Sequence, residues 1–185
     1  MKSVFLAVVF TITSVCMAQT EHKLPYYEIP QQSGDYSAGT VASRMLDGLG
    51  FRYYWATEGL RPEDLNYKPG DSGRSSEETV DHIYGLSQFI LNTLAVNIEN
   101  QPDVKAMSFE EKRKQTLENI KTSSELLKNT TDLSKFDNDR FPFWNIINGP
   151  ISDAIWHCGQ LVLLRRASGN PYNSKASVFS GKVRE

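Results

Sequence analysis

The stretch Ser75-Ser76-Glu77-Glu78-Thr79-Val80-Asp81-His82-Ile83-Tyr84-Gly85-Leu86-Ser87-Gln88-Phe89-Ile90-Leu91-Asn92-Thr93-Leu94 (residues 75–94) reads as one amphipathic helix. Ser75 and Glu78 form a capping box, in which each side chain satisfies an amide that the first turn leaves free. Val80, Ile83, Leu86, Ile90 and Leu94 then recur at spacings of three and four, one apolar face of a helix. His82, Leu86 and Phe89 run beside that face, so His82 stands at the edge of the buried stripe.

The same pattern extends in both directions. Upstream, Ala42, Leu46, Leu49, Tyr53, Ala56 and Leu60 predict a helix over about 40–60, stopped by Gly59 and Pro62. Gly48 and Gly50 each cost this helix about 1 kcal/mol relative to alanine and are read as marks of close helix approach. Downstream, Pro102 ends a connection, and Ser108 with Glu111 makes a second capping box. It opens a third helix with Leu117, Ile120 and Leu127 on one side; its Lys, Glu, Asn and Thr faces read as solvated exterior. A polar and aromatic connection over 129–149 leads to Pro150, which suits the first position of a fourth helix. That helix runs to about Ser168, with Arg165 and Arg166 in its last turn and Gly169 and Pro171 closing it. No segment alternates with period two for long enough to demand a strand. The expectation is an all-α four-helix bundle over 40–169, an extended segment over 19–39 lying across it, and a C-terminal tail over 170–185.

The first residues belong to a different kind of element. Met1-Lys2-Ser3 is a short positive start, Val4 to Val15 is almost wholly apolar, and Cys16-Met17-Ala18 offers small residues for a signal peptidase. Residues 1–18 read as a cleaved signal peptide, with Gln19 as the mature start. The apolar run is too short for a stable bilayer anchor, so no transmembrane segment is expected in the mature chain. The rival reading makes Cys16 a lipidated, membrane-tethering cysteine, which the bulky Val15 before it disfavours. Export therefore means a periplasmic or secreted protein. Without Lys2, 19 of the 20 basic residues remain against 22 acidic ones, a net charge of −3. That balance offers nothing to nucleic acid. Cys158 is then the lone cysteine and cannot form an internal disulfide.

The residues that carry chemistry are few. His22 lies in the extended start and has no assigned role. On the fourth helix Asp153, His157, Leu161 and Leu164 fall in one row, which places a carboxylate and an imidazole one turn apart on the same face. A buried Asp153 needs compensation. One compensation is a divalent metal held by Asp153, His157 and His82 from the facing helix, a donor set with open positions that suits zinc or non-haem iron. The other is a hydrogen-bonded Asp153–His pair with a water. Tyr53, Tyr84, Trp144 and Trp156 are candidates to line a pocket, against the commoner role of aromatics as core. Cys158 points about 100° away from His157 and reads as a small buried hydrophobe rather than a nucleophile. Asn129-Thr130-Thr131 is a glycosylation sequon only in a host that modifies such sites.

Three stretches, in order, resemble the DinB-like family. Leu60-Arg61-Pro62-Glu63-Asp64-Leu65-Asn66-Tyr67-Lys68-Pro69 is similar to its connection after the first helix. Ser75-Ser76-Glu77-Glu78-Thr79-Val80-Asp81-His82 resembles the capped second helix with the family's first histidine ligand. Asp153-Ala154-Ile155-Trp156-His157-Cys158-Gly159-Gln160 resembles its H-x-x-x-H-x-G-Q motif, with Asp153 where the family has its first histidine. The resemblance covers about residues 40–169. It implies a four-helix bundle, a divalent ion (Zn, Ni, Fe or Mn) on His82, Asp153 and His157, and a homodimer. It also implies metal-dependent hydrolysis or thiol and group transfer on a small-molecule substrate. The alternative is a non-catalytic exported binding or structural module with a vestigial site.

Overall fold

The computed structural model describes residues 24–95, 104–139 and 142–185. Residues 1–18, Cys16, His22 and Pro102 lie outside them, so the readings made there concern residues the structure does not describe. The chain is mostly helical. Four long helices, α1 (Ala38–Thr57), α3 (Ser76–Leu94), α4 (Phe109–Lys128) and α6 (Ser152–Ala167), are joined by the short α2 (Pro62–Leu65) and α5 (Trp144–Ile146). α1 packs on α4 and α6, and α3 packs on the same two helices. None of the helices described is long and apolar enough to cross a membrane.

The helix starts follow from their caps. Ser75 Oγ accepts from Glu78 N at 3.1 Å while Ser75 N donates to Glu78 Oε2 at 2.7 Å. Ser108 and Glu111 repeat this at the start of α4. α1 begins two residues before the position read from periodicity, because Ser37 Oγ accepts from Thr40 N and caps the helix there. Gly59 and Gly169 adopt φ of +67° and +87° just beyond α1 and α6, the left-handed geometry that ends helices at little cost to glycine. The core is the set of stripes read from spacing: Leu46, Leu49, Tyr53 and Ala56 of α1, Val80, Ile83 and Ile90 of α3, Leu117, Ile120 and Leu127 of α4, and Leu161 of α6.

The inner face of α4 departs from the sequence reading. Lys112, Arg113, Thr116, Asn119, Ser123 and Ser124 are buried, not solvated. Most are matched: Lys112 Nζ lies 2.7 Å from Asp81 Oδ1, Arg113 donates to Thr57 Oγ1 and pairs with Glu58, Asn119 donates to Ser87 Oγ at 3.1 Å, and Ser124 bonds Ser43 and Asp47. Small hydroxyls with partners let helices approach closely, and periodicity in apolar residues alone does not register them. The closest approach is at Gly39, where an added Cβ would overlap the carbonyls of Leu127 and Thr130. Gly50 faces the Tyr26 ring of the N-terminal segment rather than another helix, and at Gly48 a Cβ would meet only the Arg52 side chain.

The described N-terminal segment and the residues beyond α6 both lie on the helices. Tyr26 and Ile29 are buried, and Trp55 Nε1 donates to Tyr27 O at 3.1 Å. Beyond α6, β1 (Ala176–Ser177) pairs antiparallel with β2 (Lys182–Val183). Ile29 N donates to Gly181 O at 2.9 Å, tying this hairpin to the N-terminal segment. The other anchor is Asp64, fully buried, which links α2 to the end of α6 through Ser168 and Asn170. Arg165 completes it by donating to the Trp55 and Ala56 carbonyls at the end of α1.

Candidate metal centre

The fourth long helix does not begin at Pro150. Phe143 N donates to Asp137 Oδ1, α5 starts at Trp144, and residues Ile147–Ile151 form a widened π turn containing Pro150 and a non-helical Gly149. Such one-turn widenings absorb a surplus residue and re-aim the helix beyond them. α6 starts directly after it, with Asp153 in its first turn. His157 lies one turn further on the same row, and His82 enters from the second turn of α3. The two helices are in contact, and they bring the three residues together.

One donor atom from each of His82, Asp153 and His157 lies within 4.8 Å of the other two. His82 Nε2 is 3.1 Å from Asp153 Oδ2, and His157 Nε2 is 3.4 Å from Asp153 Oδ1. The imidazole rings meet edge to face, with centroids 4.5 Å apart at 87°. Ligands about 2.0–2.2 Å from a zinc ion lie roughly 3.0–3.5 Å from one another, and each imidazole stands about that far from one of the two Asp153 oxygens. The His82 side chain is 33% exposed, so its ring borders solvent. Asp153 is 42% exposed, so the premise that it is buried is corrected: the first turn of α6 sits at the rim of the helix packing.

Gln160 is the residue the sequence reading left without a role. Its Oε1 lies 2.6 Å from His157 Nδ1, three positions along the same helix. In the tautomer whose Nδ1–H donates to that oxygen, the Nε2 lone pair faces a carboxylate oxygen of Asp153. That tautomer presents Nε2 and the carboxylate together as two donor atoms for a metal ion. A histidine held through its other nitrogen is the usual preparation for a metal ligand. The i, i+3 spacing of His157 and Gln160 was the available signal.

Alongside His157 and Gln160 runs a groove of about 650 Å³, lined mainly by Tyr67, Pro69, Arg74, Leu163, Leu164 and Ala167. The aromatics considered as pocket candidates do not line it. Tyr53 and Tyr84 are core, whereas Trp144 and Trp156 are 75% and 72% exposed. Cys158 is buried, and burial pushes its thiol up to about 12, so it holds its proton at neutral pH and is no nucleophile. Comparison with family models, curated proteins and solved structures finds no match to this chain.

Proposed function

We propose that the chain is an exported, DinB-like four-helix-bundle protein that binds a divalent ion at His82, Asp153 and His157 and acts as a hydrolase or thiol/group transferase. The observation that carries the reading is the approach of His157 Nε2 to Asp153 Oδ1 with Nδ1 engaged by Gln160, beside a third donor from His82. A bound zinc, nickel, iron or manganese would supply Lewis acidity and lower the pKa of water or a thiol. The residues themselves hold and orient. Gln160 fixes the His157 ring, Asp153 neutralises positive charge between two imidazoles, and the groove beside His157 receives the apolar part of a small substrate, with Arg74 as its cation.

The test is metal content by mass spectrometry after exposure of residues 19–185 to zinc, iron, nickel and manganese. Near-stoichiometric metal, lost in both His82→Ala and His157→Ala, is the expected result. Wild-type protein that retains none overturns the site. Metal-loaded protein that turns over no thiol or ester substrate overturns the enzymatic part alone.

The 3.1 Å contact between His82 Nε2 and Asp153 Oδ2 favours a second reading, in which the imidazole simply donates to the carboxylate and the bundle is a binding or structural module. It expects Asp153→Asn to leave metal content unchanged at zero. Export and homodimerisation belong to the same proposal. They are tested by N-terminal sequencing of the exported protein, with Gln19 expected first, and by sedimentation, with a dimer expected.

A further inference from the structure

On the far side of α6 from His157, Ile155, Cys158, Gly159, Val162 and Arg166 close a second cavity of about 350 Å³ against Arg52, Trp55 and Ala56 of α1. Tyr172 and Val178 of the C-terminal segment complete it. Its walls are apolar and aromatic apart from two guanidinium groups. Arg61 and Arg113 are matched by Asp64 and Glu58, but among the described residues neither Arg52 nor Arg166 has a carboxylate partner. Arg52 uses Nη1 to hold the Gly48 carbonyl at 2.9 Å, and its charge reaches the Cys158 thiol in the cavity wall. Among the described residues the remaining donors of its fork meet no acceptor. Arg166 lies over the Tyr172 ring, 5.5 Å from its centroid, which holds the guanidinium at the cavity edge. Among the described residues no acid lines this cavity.

Two positive forks on an apolar, aromatic-walled cavity define a ligand by its chemistry. We infer that this cavity binds a small organic carboxylate, its acid group held by Arg52 and Arg166 and its hydrocarbon body against Trp55, Ile155 and Val162. Carboxylates match the planar guanidinium fork in two-point contacts. The volume lies near the lower end of small-molecule sites, about 300–1,000 Å³, which fits an acid of roughly eight carbons and not a long-chain lipid. Gly159 leaves the wall open, since an added Cβ there meets no atom within 4 Å. The site is separate from the metal centre and does not depend on it.

The experiment is isothermal titration of the protein with sodium octanoate and octan-1-ol, both below their aggregation limits. Octanoate binds with one-to-one stoichiometry and at least tenfold tighter than the alcohol. Arg52→Gln and Arg166→Gln each weaken it fivefold or more, and Gly159→Leu abolishes it with an unchanged helical circular-dichroism spectrum. His82→Ala leaves it unchanged. Absence of saturable octanoate binding overturns the inference, as does equal binding of the alcohol or undiminished binding to folded Gly159→Leu. Loss in His82→Ala would also overturn it, by placing the carboxylate at the metal centre.

Discussion

Replacing Asp64 by asparagine removes the charge on which the end of α6 is fastened. Its carboxylate, fully buried, accepts from Arg61 N, Nε and Nη2, each at 2.9 Å, and from Ser168 Oγ and Asn170 Nδ2, each at 2.6 Å. Asparagine keeps one acceptor oxygen and turns an NH2 group toward donors. The Arg61 side chain is 46% exposed and can recover water, so its share is discounted. The loss of two or three charge-assisted bonds in a buried setting comes to about 2–4 kcal/mol. For a domain of this size that corresponds to a melting temperature lower by roughly 5–12 °C. The dependence on pH has a definite sign. The Arg61 guanidinium first, then Ser168 and Asn170, hold the folded carboxyl far below the usual carboxylate range. The contribution is therefore fully present above the unfolded pKa of about 3.9 and is lost as pH falls below it. Guanidinium denaturation followed by circular dichroism at pH 7 and pH 3 should show the wild-type advantage over Asp64→Asn shrinking toward acid. An advantage under about 1 kcal/mol at pH 7, or one independent of pH, would refute the reasoning.

Gln160→Met removes the acceptor on His157 at similar volume, and zinc affinity measured by calorimetry should fall by about 10–100-fold with the fold intact. Unchanged affinity would remove Gln160 from the site. At pH 8 the Cys158 thiol, pushed up to about 12, should resist a thiol reagent in native protein and react on unfolding, read by peptide mass spectrometry. Rapid native labelling would contradict its burial. Gly39→Ala should cost about 1–3 kcal/mol in thermal melts, because its methyl would meet the carbonyls between which α1 approaches α4; a neutral effect would mean the two helices separate easily.

The sequence was most legible where local chemistry and burial agree. Both Ser–Glu capping boxes and the stripe from Ala42 to Ala56 are found where spacing placed them. The residues His82, Asp153 and His157 converge because the row on α6 and the edge of α3 belong to helices that touch. The π turn before α6 was not legible. Pro150 is a legitimate helix starter by local rules, and only the upstream packing of Phe143 and Ile146 begins helical geometry earlier. The burial of Lys112 and Asn119 escaped for a different reason. Their partners, Asp81 and Ser87, lie on another helix, and no window of one helix contains that information.

The clasp between the N-terminal segment and the C-terminal hairpin bears on the order in which the protein folds. Ile29 bonds Gly181, Glu28 receives Val183 N at 3.1 Å, and its carboxylate meets Lys182 at 2.8 Å. The Glu28 contacts thus join residues 154 and 155 positions apart. Contacts of that separation carry a loop-closure cost before they stabilise anything, so the helices can pack on Tyr26 and Ile29 before the hairpin joins them. Closing the clasp should therefore follow assembly of the four helices. A chain stalled or clipped before Gly181 would keep its helices and leave its leading segment without that clasp.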